Sequence, residues 1–222
     1  MNNYQASDKT RRPIKSRGKS WAIRTAKNLA KTGITPNQIS LTSIFFSIAA
    51  GCCLILSPYP AAGIIKTLLF ILAACFIQLR LICNLLDGMV AVEHDKKTRS
   101  GQIFNDLPDR IADPIILVSA GYAAGLLSFA IEAGWLAALL AVITAYIRLL
   151  GNSAGAAPQF IGPMAKQHRM AVMTLTNLIC AVVLYWNWHL HVIFLSLIII
   201  SIGCLITIIR RLLRITAELE KD

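Results

Sequence analysis

The chain alternates long apolar runs with short polar intervals. Six runs are long enough to cross a bilayer, at roughly 37–57, 62–90, 104–126, 130–151, 168–186 and 190–211, since a helix needs about 20 residues to span a hydrocarbon core of about 30 Å. Upstream, between Pro13 and Lys31, Trp21, Ala22, Thr25, Ala26 and Leu29 recur at helical spacing while Lys and Arg fill the other side. That pattern predicts an amphipathic helix on an anionic membrane surface, with a solvated basic tail as the alternative because the apolar face is thin. Residues 1–12 are polar and expected to be disordered.

The interval TGITPNQISLTS separates this helix from the first run. Gly33 suits a helix C-terminus, and Thr35, with Pro36 in the first turn and Gln38 three residues on, forms a capping box. The expected fold is therefore an all-α integral membrane protein. An amphipathic juxtamembrane helix (13–32) precedes six transmembrane helices (33–214), and a short cytoplasmic tail (215–222) follows.

Charge sets the expected orientation. The first, third and fifth connections hold no Lys or Arg, whereas the N-terminal region, EHDKKTRS, the fourth connection and RRLLR hold almost all of them. Basic residues concentrate on the cytoplasmic side, so both termini and the even loops are expected there, in a cell inner or plasma membrane. Composition agrees: 56% of residues are hydrophobic, yet the formal net charge is +11. No Lys/Arg cluster alternates with aromatics, which argues against a nucleic-acid partner. The six cysteines, Cys52, Cys53, Cys75, Cys83, Cys180 and Cys204, lie inside apolar runs without metal-ligand spacing and read as small buried hydrophobes.

Two polar stretches interrupt this economy. NLLDGMVA (Asn84 to Ala91) ends the second run and GQIFNDLPDRIAD (Gly101 to Asp113) opens the third. Asn84 and Asp87 share one helical face, and Asn105, Asp109 and Asp113 form a stripe on the next helix; Asp106 lies off that stripe and reads as solvated or capping. The short loop between them brings both faces to one membrane surface. Clustered carboxylates in low dielectric call for a cation, and Mg²⁺ would take carboxylate and amide oxygens together with substrate phosphates. A structural polar network or a transporter ion site are the competing readings. The chain shows no inverted repeat, which argues against the transporter.

The spacing goes further. NLLDGMVAV followed by GQIFNDLPD resembles the motif D-x2-D-G-x2-A-R … G-x3-D-x3-D of the CDP-alcohol phosphotransferases (CDP-alcohol phosphatidyltransferases), with Asp87, Gly88, Ala91, Gly101 and Asp109 in register. ITPNQIS resembles the family's lead into its first helix. Asn84 and Asn105 stand where the family has aspartates, and Val92 where it has arginine. The resemblance implies a transferase moving a phosphatidyl group from a CDP-linked donor, usually CDP-diacylglycerol, to an alcohol, releasing CMP in phospholipid synthesis. It implies a Mg²⁺ or Mn²⁺ site of one or two ions on Asn84, Asp87, Asn105 and Asp109, to which Asp113 adds a carboxylate. Asp109 becomes the general base, Asp87 a metal and donor residue, and Gly88, Ala91, Gly101 and Asn37 the donor-binding positions. The asparagines also leave open a catalytically silent homologue that binds CDP-lipid or scaffolds lipid enzymes.

Arg148, Lys166 and Arg169 could form a cationic pocket for an acceptor that carries a phosphate, although Lys and Arg at cytoplasmic helix ends also follow from topology alone. Arg80, one turn before Asn84, is expected to pair with the acidic cluster or with a substrate phosphate. Gly121 and Gly125 form a small-residue pair suited to packing within the chain or to a homodimer.

Overall fold

The structure, a computed structural model, describes residues 19–59, 62–93 and 101–221. Helix α1 spans Ser20–Lys31, α2 Pro36–Leu56, α3 Gly63–Glu93, α4 Gly101–Ala123, α5 Ala130–Ser153, α6 Lys166–Val183 and α7 His189–Leu219, with a 3₁₀ turn at Leu184–Trp186. No strand occurs among the described residues. The expected tail at 1–12 and the start of the amphipathic segment lie outside them, as does the loop between α3 and α4.

The chain is an all-α integral membrane protein. Five helices, α2, α3, α5, α6 and α7, are long and apolar enough to cross a membrane. The sixth expected span, α4, carries Asp106, Asp109, Arg110 and Asp113 in its first half and falls short on that measure. It is nonetheless packed among the spans, against α2 and α5. The outward faces are apolar: Phe45, Ile64, Leu136, Leu195 and Ile209 are all exposed. Only a hydrocarbon solvent makes such an exterior favourable.

The six long helices close into a ring in which each packs chiefly on two neighbours, in the order α2, α3, α6, α7, α5, α4. Helices α3 and α4 are consecutive in sequence but barely touch, because α2 sits between them. Their polar faces meet across the interior of the ring. Close approach is reached with small residues: a Cβ on Gly121 would lie 3.0 Å from the Cα of Gly134, which seats α4 directly on α5. Gly121 is thus used within the chain.

The α1–α2 junction follows the capping expectation. The Thr35 amide donates to the Gln38 side chain at 2.9 Å and the Gln38 amide to Thr35 Oγ1 at 3.3 Å, which satisfies two of the orphan donors of α2. Helix α1 buries Ala22 and Ala26 against Ile39, Leu85, Leu86, Met89 and Val90. Its small-residue face therefore docks on the end of α3, and Trp21 and Ile23 stay exposed. The cysteines are all free, but Cys52 and Cys75 are exposed on the outer apolar face. The expectation that all are buried fails there because lipid-facing positions tolerate a small hydrophobe equally well.

Candidate active site

Five of the six helices of the ring, α2 to α6, contribute a polar side chain to one buried cluster. From α3, Arg80 is fully buried, and its Nη2 donates to Asp113 Oδ1 at 2.6 Å and to Asp109 Oδ1 at 3.0 Å. From α6, Lys166 donates to Asp109 Oδ2. Arg169 places Nη2 and Nε on Asp113 Oδ2 at 2.6 and 3.0 Å, and its Nη1 on the Met164 carbonyl at 2.9 Å and Thr144 Oγ1 at 3.2 Å. Nearer the end of α3, Asp87 is 3% exposed and its Oδ2 accepts from Ser40 Oγ of α2 at 2.5 Å. Its other oxygen, Oδ1, is buried with no hydrogen-bond partner, and so is Asn84 Nδ2 one turn earlier. Lys166 and Asp109 both lie close enough to Asp87 to interact with it electrostatically.

Such burial has a consequence. A carboxylate or guanidinium removed from water costs several kcal/mol, on the order of what a well-formed pair returns. The cluster satisfies that demand within the chain at Asp109 and Asp113, but not at Asp87. An orphaned carboxylate oxygen in a buried site is the arrangement a hard divalent cation completes, and the neighbouring Asn84 could join it only through its amide oxygen, not through the unpartnered Nδ2 donor.

A loop fixes the basic side of the site. Gly162 has φ +112°, and a Cβ there would lie 2.5 Å from Thr207 Cγ2, so glycine is required on both counts. Thr207 Oγ1 accepts from the Met164 amide at 3.0 Å, and Arg211 of α7 donates to the Ile161 carbonyl at 3.0 Å and the Thr144 carbonyl at 2.5 Å. Further out, Glu218 accepts from the Ala157 amide and from Gln159, both at 2.8 Å. The segment that delivers Lys166 and Arg169 is thus tied to α7.

The sequence expectations divide accordingly. Asn84 and Asp87 share a face of α3, and Arg80, one turn before Asn84 on the same helix, holds Asp109 and Asp113 of α4. Asp113, expected as a cation ligand, instead has both oxygens engaged by guanidinium groups. Asp106 is not simply solvated: Arg148 reaches it at 2.9 Å and Arg110 at 3.2 Å. Arg148 also sits 5.5 Å from the ring centre of Phe160. The expected acceptor cations therefore each hold a carboxylate, and Arg169, 5% exposed, is wholly enclosed. Lys166 and Arg148 remain partly accessible. Asn37 lies half-buried in the first turn of α2, Gly88 and Ala91 half-buried on α3, and Gly101 at the start of α4. The side chain of Asn105 lies outside the described residues.

Sequence reasoning missed Ser40, Thr144 and Arg211. A signal existed for the first: Ser40, Ser43 and Ser47 recur at helical spacing in an apolar run, and all three are buried.

Comparison with known proteins converges on one family. Residues 33–209 match the sequence profile of CDP-alcohol phosphatidyltransferase. The chain is 28% identical over 165 residues to the inner membrane protein YnbA of Escherichia coli, covering 72% of this chain and 74% of that one. Its fold resembles the phosphatidylinositol phosphate synthase of Mycobacterium tuberculosis. Against that enzyme in complex with manganese and citrate the TM-score is 0.71 at 19% identity, over 87% of this chain and 88% of the other. Against the form with CDP-DAG bound it is 0.69 at 19% identity, over 87% and 92%.

Proposed function

The chain belongs to the CDP-alcohol phosphatidyltransferase family, and from that premise we propose that it transfers a phosphatidyl group from CDP-diacylglycerol, or a similar CDP-linked donor, to an alcohol, releasing CMP. The observation that carries the reading is the pairing of two unlike carboxylates in one buried cluster. Asp87 has an unpartnered oxygen, and Asp109 is held between Arg80 and Lys166.

A bound Mg²⁺ or Mn²⁺ would be held by Asp87 and Asn84, with Asn105 as a further amide ligand, and would neutralise the donor pyrophosphate. The manganese-bound and CDP-DAG-bound forms of the Mycobacterium tuberculosis enzyme support this reading. Ser40 orients Asp87 by occupying its second oxygen. The donor's cytidine would lie along Gly88, Ala91 and Gly101, where small side chains let backbone come close, with Asn37 offering an amide to hydrogen-bond it.

In the transfer, the acceptor hydroxyl oxygen bonds to the β-phosphorus, the phosphorus–oxygen bond to CMP breaks, and the hydroxyl proton passes to Asp109. Arg80 and Lys166 keep that carboxylate in place, and each of its oxygens retains a lone pair for the proton. Catalysis of this type depends on alignment and charge neutralisation more than on covalent help. An acceptor phosphate would meet Lys166 and Arg148. Arg169, consumed by Asp113 and the Met164 carbonyl, shapes the pocket from behind. We place Asp113 outside the ligand set for the same reason, and the site at the cytoplasmic face on the Lys/Arg bias of the loops.

The test is CMP release from CDP-diacylglycerol by the purified protein in detergent, with Mn²⁺ or Mg²⁺ and a panel of free and phosphorylated alcohols. Release with one acceptor is expected, lowered at least about 100-fold in Asp87→Asn and in Asp109→Asn. A folded protein that binds CDP-lipid but releases no CMP across the panel would overturn the reading. It would favour a silent homologue, the alternative to which the asparagines at 84 and 105 point.

A further inference from the structure

We propose that Lys166 and Arg80 occupy, at Asp109, the place of a second cation, so that this site takes one divalent ion, on Asp87 and Asn84, and no more. The inference rests on the transferase reading for the identity of the site, and it concerns the chain's own charges. Asp87, Asp109 and Asp113 are matched by Arg80, Lys166 and Arg169, so the cluster is balanced before any ion enters.

The balance is distributed unevenly, and that decides where an ion goes. Asp109 has Arg80 Nη2 on one oxygen and Lys166 Nζ on the other. Asp113 carries three guanidinium hydrogen bonds. The unengaged carboxylate oxygen in the cluster is Asp87 Oδ1; at the neighbouring Asn84 the unpaired atom is the Nδ2 donor, so that side chain can serve a cation only through its amide oxygen. Among the described residues, no group of three His, Cys, Asp or Glu side chains forms a cation site of its own. An ion at Asp87 must therefore use an amide and the substrate's phosphate oxygens.

A single divalent ion there brings the charge that a doubly ionised pyrophosphate offsets. A second would sit against Arg80 and Lys166 in low dielectric with no further carboxylate to receive it, and like charges at such separations are strongly unfavourable. The chain has amides at positions 84 and 105, which bring no negative charge to hold it. The amides and the basic pair thus read as two sides of one substitution. Negative charge is withdrawn from the motif, and fixed positive charge from α3 and α6 replaces a mobile ion.

Manganese stoichiometry decides the matter without reference to turnover. Full-length protein in detergent is titrated with Mn²⁺, free ion being read by electron paramagnetic resonance, with and without CDP-diacylglycerol. One ion per chain is expected in both titrations, tighter with the donor present. In Lys166→Met, which vacates Asp109 Oδ2 at a partly exposed position, a second and weaker ion is expected. Two ions in the unaltered protein would overturn the inference and leave the transferase reading intact. No ion at all would overturn the inference and the metal-dependent reading together. Unchanged single occupancy in folded Lys166→Met would remove Lys166 from its assigned role. If that variant does not fold, the stoichiometry of the unaltered chain still decides.

Discussion

Asp113→Asn separates a scaffold carboxylate from a cation ligand. In the structure Asp113 accepts from Arg80 at 2.6 Å and from Arg169 at 2.6 and 3.0 Å, with all three side chains nearly inaccessible. The asparagine keeps one acceptor oxygen but turns a donor towards a guanidinium, and it removes the charge that offsets two buried cations. Deleting one partner of such a pair costs about 3–5 kcal/mol. For a chain of this size each kcal/mol moves the melting point by about 2–4 °C, so a loss of about 6–20 °C is expected. The chain supplies its own probe: Cys53, Cys180 and Cys204 are free and buried. A thiol-reactive dye therefore reports melting in detergent as a rise above the baseline set by Cys52 and Cys75. Manganese titration of the same variant below its melting point should show single occupancy retained. Melting unchanged while manganese binding is lost would refute the assignment and return Asp113 to the ligand set.

Ser40→Ala removes the hydrogen bond that orients Asp87. A bond to a charged group contributes about 1.5–3 kcal/mol, so CMP release per unit enzyme should fall about 10- to 100-fold; unaltered kinetics would show that Asp87 is positioned by other means. Gly162→Ala combines a left-handed backbone with a clash on Thr207, and a loss of at least about 1–3 kcal/mol is expected in the same thiol-dye melt; a neutral result would mean the loop is not pinned as described. Orientation is tested in intact cells with a membrane-impermeant thiol reagent on a cysteine-free background. Asn152→Cys should be protected and Tyr59→Cys labelled, and the reverse pattern would invert the topology.

Much of this architecture is legible in the sequence because a bilayer leaves few solutions. Apolar runs must become helices, and the capping box and the positive-φ Gly33 mark where the first begins. The motif positions of Asp87 and Asp109 are likewise readable from spacing on a helix. Periodicity cannot show which helices become neighbours. Asp113 and Asp106 share a helix with Asp109, yet their roles are set by Arg169 and Arg148, which arrive from α6 and α5. Ser40 meets Asp87 because α2 separates α3 from α4, an arrangement no local pattern encodes. Arg211, by sequence one more basic residue at a membrane edge, is committed to two carbonyls because the fourth connection folds back on α7.

The bridge made by Arg80 also bears on the order of synthesis. Asp109 and Asp113 emerge from the ribosome long before Lys166 and Arg169, and longer still before Thr207, Arg211 and Glu218, which tether the loop that carries them. A carboxylate left alone near the centre of a membrane helix costs at least about 2.5–3.5 kcal/mol. Arg80 precedes both aspartates in the chain and reaches both of them. The nascent helices can therefore enter the bilayer with part of their negative charge already offset and both carboxylates hydrogen-bonded, and Lys166 and Arg169 complete the neutralisation when they arrive.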